Sequence, residues 1–253
     1  CYVYFDIVPP PTIADFCNSG DTLTTCVKNF GDQGPDISSI YIHNSSLTNG
    51  ARDNSYRYSG VNPNNYVCFG ANTTPCPTDN LYRIIGVFGD KVKLIKSDYA
   101  TSTLLGADGD YSKMYTTNGW DNSSYKGNNL ANIAGYTWNY KNNTTINSGY
   151  GSNTWSTSLL NKTNLNQNFI TNIGTDWAAK IDATTWKVGG NTWAKIGGQP
   201  AKTTYQNEIV SPVTTNTTDN ATTYSAKVGL IYASDYGFAV APSAWTTNLN
   251  DYN

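Results

Sequence analysis

Apolar and polar side chains alternate most regularly over residues 81–96, LYRIIGVFGDKVKLIK. Tyr82, Ile84 and Gly86 alternate with Arg83, Ile85 and Val87, and Val92, Leu94 and the alkyl stem of Lys96 repeat the pattern beyond Gly89-Asp90. That dipeptide supplies the positive-φ positions of a tight turn, so the segment predicts a β-hairpin. Being apolar on both faces, the hairpin needs cover and marks the nucleus of a packed domain. Residues 227–232 (KVGLIY) read as a second buried strand, which places Ile84, Ile85, Leu94 and Ile231 in one core, on adjacent segments of one sheet.

Elsewhere the pattern is shorter. Pro9, Pro10 and Pro11 form a stiff spacer, and Thr12 caps a short helix with Ile13, Phe16 and Cys17 on one face and Gly20 at its end. Asp21 is expected to cap a second helix, with Leu23, Cys26, Val27 and Phe30 at helical spacing and Gly31 just beyond. Residues 40–42, 56–58 and 66–69 read as strands. Residues 97–154 are rich in Gly, Asn, Ser and Tyr, a long loop region of the kind that carries function on a rigid scaffold. A helix over 156–171 presents Leu160, Leu165 and Phe169 to the hairpin and turns Asn and Lys outward. Gly174 stops it, Asp176 caps a short helix containing Trp177, and residues 184–188 form a strand. Glu208, Ile209 and Val210 are apolar enough as a run to be covered.

Composition shifts the picture outward from the cell. Of 253 residues only 13% are charged, while 19 Tyr and 7 Trp help bring aromatics to 13%. Charge at about half its usual share, replaced by Asn, Thr and Ser, is a habit of secreted and cell-surface β-rich proteins. A net charge of −2 offers no basic field for a polyphosphate, which argues against nucleic acid as a partner. Five cysteines beside one His and one Met point to an oxidising compartment. Cys68 and Cys76 flank a short loop before the hairpin and Cys17 and Cys26 sit on adjacent segments, so two disulfides are expected; four buried free thiols are the alternative.

Cys1 is the odd cysteine, and the apolar 2–8 run (YVYFDIV) follows it. Three readings stand open: a lipid-bearing first residue, the tail of a hydrophobic anchor, or an extended strand that docks on its own domain or on a neighbour. In the last, Tyr2, Val3, Tyr4 and Phe5 are the assembly residues. No stretch approaches the roughly 20 apolar residues that span a bilayer.

Motifs for catalysis are missing. There is no G-x-S-x-G, P-loop or dinucleotide-binding glycine pattern, and a lone His43 is more often a core or surface side chain than a general base. Asp108 and Asp110 place oxygens at alternate positions, as calcium loops do, but lack the remaining ligands; no cofactor is expected. Asp98, Asp108, Asp110 and Asp235 are the carboxylates a glycan-active hydrolase would draw upon. Asn-x-Ser/Thr tripeptides, as at Asn44, Asn122, Asn161 and Asn220, matter only where a host glycosylates them. Trp120, Tyr125, Trp138 and Tyr140 of the long loop region are candidate binding side chains, able to stack on sugars or enter protein contacts.

Several runs together resemble one family: 46–58 (SLTNGARDNSYRY), 64–69 (NNYVCF), 80–98 (NLYRIIGVFGDKVKLIKSD), the S-x-L-L-N and L-N-x-x-F elements of 155–169, 207–212 (NEIVSP) and 227–245 (KVGLIYASDYGFAVAPSAW). The pattern is similar to a domain of unknown function in surface proteins of Gram-positive and wall-less gut bacteria, allied in fold to C-type lectins and the formylglycine-generating enzymes. The resemblance implies an α+β, C-type-lectin-like domain over residues 46–253, with a central hairpin, two short helices and long polar loops. Residues 1–45 then form an extended segment with short helices, like the lead-in that follows a membrane anchor. Family members continue into a Trp-rich strand region and a Gly-Val-Arg-Pro segment. This sequence ends at Asn253 without them, as a cleaved, truncated or partial copy would. The formylglycine-generating enzymes use cysteines late in their fold; none here lies beyond Cys76, so that activity is not carried over.

The expectation is a secreted or cell-surface bacterial protein that binds or adheres without catalysis. A filament or surface-layer subunit is the alternative and a glycan hydrolase the third class. Partners would be copies of itself, or a host or glycan surface. Thiol labelling of the unfolded, unreduced chain should find at most Cys1 reactive. The Cys68–Cys76 bridge should contribute about 2–3 kcal/mol, read by denaturation with and without reductant.

Overall fold

Five short strands build the main sheet: β1 (Ile40–Ile42), β2 (Tyr56–Tyr58), β3 (Tyr66–Cys68), β4 (Leu81–Phe88) and β5 (Lys91–Lys96). The computed structural model describes residues 9–98, 100–106, 155–157, 160–189, 196–212 and 222–252. It is a mixed α+β fold with two antiparallel sheets and several short helices. β4 is the axis. β5 runs along one edge of it, while β2 and β3 share the other, at Val87 and Gly86 and at residues 81–83 respectively. Asn65 fills the gap between those two partners: its Nδ2 donates to the Ile84 carbonyl at 2.7 Å, and its own carbonyl accepts from the Ile84 amide at 2.8 Å.

The hairpin turn uses Gly89 at φ 66°; Asp90 is not in the positive-φ region. A bulge between Ile84 and Gly86 leaves Ile85 out of the ladder. Strict alternation would place Ile84 and Val87 on opposite faces, and the extra residue puts them on the same one. Both are fully buried with Val27, Phe30, Ile40 and Tyr58, and Val92 and Leu94 pack against this core. Ile85, expected in the same core, instead lines the opposite side. Gly86 is required here, because a Cβ would collide with the Tyr56 carbonyl oxygen of β2.

Helix α1 (Leu23–Gly31) covers the core face with Cys26, Val27 and Phe30. Thr22, not Asp21, is its cap, accepting from the Thr25 amide, while Asp21 accepts from the Asn18 amide at 2.8 Å. A 3-10 turn at Ile13–Phe16 lies against it, with the Phe16 and Phe30 rings 5.2 Å apart. Cys17 and Cys26 are paired at disulfide distance, as are Cys68 and Cys76. Next come α2 (Pro35–Ser38) and, after the hairpin, α3 (Ser102–Leu105).

The helix expected to cover the hairpin does something else. After a 3-10 turn at Trp155–Thr157, α4 (Leu160–Phe169) winds as a π-helix and continues into Ile170–Asn172. Leu160 and Leu165 bury against Leu105 and Trp155 in a cluster separate from the Ile84 core. Its asparagines do not all face water: Asn161 and Asn164 are fully buried. Asn164, Asn168 and Asn172, one turn apart, donate to the end carbonyls of α3, at Leu105, Leu105 and Leu104 (each 3.0 Å). A helix end left without intrahelical partners is thereby satisfied by a polar stripe. Gly174 (φ 88°) precedes α5 (Thr175–Ala178), with Asp176 inside its first turn, not at its cap.

A second, two-stranded sheet pairs β6 (Thr184–Lys187) with β7 (Thr223–Ala226). The strand expected over 227–232 is absent. Val228 donates its amide to Asn166 Oδ1 and its carbonyl accepts from Asn166 Nδ2, both at 3.0 Å, so an asparagine side chain takes the partner strand's place. Ile231 is 49% exposed and outside the core. Helix α6 (Ala201–Tyr205), prolonged by Gln206–Val210, packs on α7 (Ala233–Ala239) around Phe238 and Trp245. Among the described residues no helix is long and apolar enough to cross a membrane.

Ile84→Ala should therefore cost about 2–5 kcal/mol in urea denaturation, the range for a cavity in a packed interior. Ile231→Ala should change stability by less than about 0.5 kcal/mol, as exposed positions do.

Candidate functional site

The face of the sheet turned away from α1 carries charge. Arg57 of β2 stands opposite Gly86, which stands opposite Lys93 of β5, so all three positions share one face. Both cations meet Asp235, in the first turn of α7. Arg57 Nη1 donates to Asp235 Oδ1 at 3.1 Å, and Lys93 Nζ contacts Asp235 Oδ2. Arg57 also donates through Nη2 to Asp53 Oδ2 (2.8 Å) and through Nε to Ser55 Oγ (2.8 Å). Asp53 accepts in addition from the Tyr205 hydroxyl at 3.1 Å. The Arg57 and Asp235 side chains are 3% and 2% exposed, so these bonds stand in for water almost completely.

Rings enclose the cations. The Arg57 guanidinium lies 4.5 Å from the Phe88 centroid and 5.1 Å from that of Phe238; Lys93 Nζ lies 3.9 Å from Tyr232 and 5.2 Å from Trp186. Such faces attract cations most when water is excluded. Burial lowers the Lys93 ammonium pKa, against the pull of Asp235. Burial acts to raise the Asp53 carboxyl, but the Arg57 charge and the bonds from Ser55 and Arg57 outweigh it and hold it below the usual carboxylate range. Glu208 accepts from the Ala233 and Ser234 amides, both at 2.9 Å, at the start of α7, and burial nevertheless raises its pKa.

Next to this cluster the same face opens into a cavity of about 1080 Å³. Its walls carry Phe69, Phe88, Phe169, Trp177, Trp186 and Tyr232, and residues 91–96 of β5 all line it. Among the described residues no strand pairs with the outer edge of β5. The lysines of that strand are individually engaged, Lys91 with Asp182 (2.5 Å), Lys93 with Asp235 and Lys96 with Asp79 (3.6 Å). What the cavity offers is aromatic surface and strand-edge backbone, over a floor whose charges are matched.

Trp120, Tyr125, Trp138, Tyr140, Asp108, Asp110 and Tyr2, Val3, Tyr4 and Phe5 lie outside the described residues. Asp98 is exposed beyond the end of β5 and Asp235 is buried in the cavity floor. No group of three His, Cys, Asp or Glu side chains able to hold a metal occurs among the described residues. Sequence reasoning missed Arg57, Lys93 and Asp53. For Arg57 and Lys93 the signal was a cation between two apolar neighbours within a strand, Tyr-Arg-Tyr and Val-Lys-Leu; for Asp53 there was none.

His43 is fully buried behind the cluster, its ring 4.8 Å from Phe238 and 5.0 Å from Trp245. Nδ1 accepts from the Ala51 amide at 3.0 Å, which leaves the proton on Nε2. Burial, with the nearby Arg57 charge, lowers its pKa to about 3. The folded value lies below the unfolded one, so as pH falls below about 6.5 the unfolded chain takes up the proton first. Stability should therefore drop between pH 6.5 and 3, by up to about 1.4 kcal/mol per unit from this group. His43→Asn should flatten the slope in denaturation midpoints measured across that range.

Compared with protein-family models, curated proteins and solved structures, the chain matches none of them.

Proposed function

We propose that this is a bacterial cell-surface or secreted protein of C-type-lectin-like architecture that works by binding, without catalysis, and that its cavity receives an extended segment of a partner polypeptide. The observation that carries the reading is the outer edge of β5, which has no partner strand among the described residues and runs along an aromatic-walled cavity. An added strand satisfies such an edge through its main chain and places alternate side chains in pockets. Sugars are a poorer fit, since beyond rings to stack on they need polar side chains with open hydrogen-bonding capacity, and those of the cavity floor already bond to one another. The same saturation disfavours hydrolysis: among the described residues, Asp235 is held by Arg57, Lys93 and the Tyr232 amide, Asp53 by Arg57 and Tyr205, and Asp182 by Lys91. The paired cysteines and low charge suit an extracellular setting.

Self-assembly is the second reading, favoured by the 2–8 run, whose Tyr, Val, Phe and Ile are strand-forming residues. In that case the inserted strand belongs to another copy.

The test is a titration of the protein with a synthetic peptide of residues 2–8, a second apolar β-forming peptide and a Pro-containing control. Trp177 and Trp186 fluorescence and amide exchange along β5 are the readouts. Saturable binding that protects β5 amides is expected, weakened about tenfold or more by Ile95→Asp. Binding of the 2–8 peptide alone, with fibres in electron micrographs, would favour self-assembly. If neither strand-forming peptide binds and β5 exchange is unchanged, the cavity is not a strand site.

A further inference from the structure

We infer that Lys93 and Asp235 condense in the folded protein into an intramolecular amide, joining Nζ to Cγ with loss of one water. The geometry is that of a reactive pair held face to face. Lys93 Nζ touches Asp235 Oδ2, with side-chain exposures of 14% and 2%. Two groups fixed at contact distance react as if at very high concentration. Water, the product that would drive the reverse reaction, has little access. Arg57 Nη1, 3.1 Å from Oδ1, is aimed at the oxygen on which negative charge develops. Tyr232, Trp186 and Phe88, with centroids 3.9, 5.2 and 5.6 Å from Nζ, hold the amine in an apolar box.

The step balances within the pair. One ammonium proton returns to the carboxylate, leaving a neutral amine and a carboxylic acid. The amine lone pair forms the N–C bond to Cγ, and Oδ1 carries the charge against Arg57. The Cγ–Oδ2 bond then breaks and Oδ2 departs as water, taking the proton already on the acid and a second from nitrogen. One hydrogen stays on the amide nitrogen; no oxidant or co-reactant is needed and net charge is unchanged. Burial favours the neutral amine by lowering the Lys93 pKa. Glu208, held by the Ala233 and Ser234 amides, adds a negative charge that bears on Lys93 and Asp235. In the product Oδ1 remains an acceptor for Arg57, and β5 is tied covalently to α7 across 142 residues of sequence.

The intact mass of the full folded chain, measured after complete disulfide reduction, should be lighter than the sequence mass by one water. Lys93→Arg should restore the sequence mass. Because ring closure at Asp108-Gly109 would lose the same mass, the deciding measurement is a digest of the wild-type protein, in which a branched peptide joining Lys93 to Asp235 is expected. Recovery of Lys93 and Asp235 only on separate linear peptides overturns the inference, whether or not Lys93→Arg folds.

Discussion

One buried carboxylate ties the main sheet to α7. Asp235 takes a guanidinium from β2 on one oxygen and an ammonium from β5 on the other. Removing three charges from water is costly, and the cost is offset only where every polar atom finds a partner. Here the partners come from distant places: Asp53 and Ser55 beside the sheet, Tyr205 on α6 and the Tyr232 amide at the start of α7. The rings of Phe88, Phe238 and Tyr232 do the rest. Moving any of these elements would strand a charge in an apolar interior, so the cluster fixes their mutual placement more narrowly than apolar contact does.

That placement depends on the bulge at Ile85. Without the additional residue, Ile84 and Val87 would point to opposite faces and one would lie among the charges. With it, β4 gives both to the α1 core and leaves Gly86 between Arg57 and Lys93, where a Cβ would strike the Tyr56 carbonyl oxygen and push β2 away. The sheet is thereby two-faced, with a dry core under α1 and ions with an open cavity on the other side.

What could be read from the sequence follows the range of the interactions. The hairpin was legible because its alternation and Gly89 are local, and α1 because Val27 and Phe30 recur at helical spacing. Residues 227–232 were misread because an apolar run does not reveal its backbone's partner, and that partner is the side chain of Asn166. The asparagines of α4 looked like a solvent face, since nothing nearby in sequence announces that they cap the end of α3. The ion cluster was hidden for the same reason: 178 residues separate Arg57 from Asp235.

Range also divides the labour between cross-links and ions. The two disulfides close separations of 9 and 8 residues, so they stiffen the lead-in to α1 and the entry to β4 but cannot hold distant elements together. Their entropic effect grows only slowly with loop length, and both loops are short. Closure of the long loops falls to the Asp235 cluster, helped by Ser59 Oγ donating to the Phe238 carbonyl at 2.6 Å and the Gly60 amide donating to the Ala239 carbonyl at 2.9 Å. These bonds bind the end of β2 to α7 from the same side as Arg57. The cavity is therefore bounded by a strand and a helix locked to each other at one end, beside an edge of β5 that pairs with no strand among the described residues.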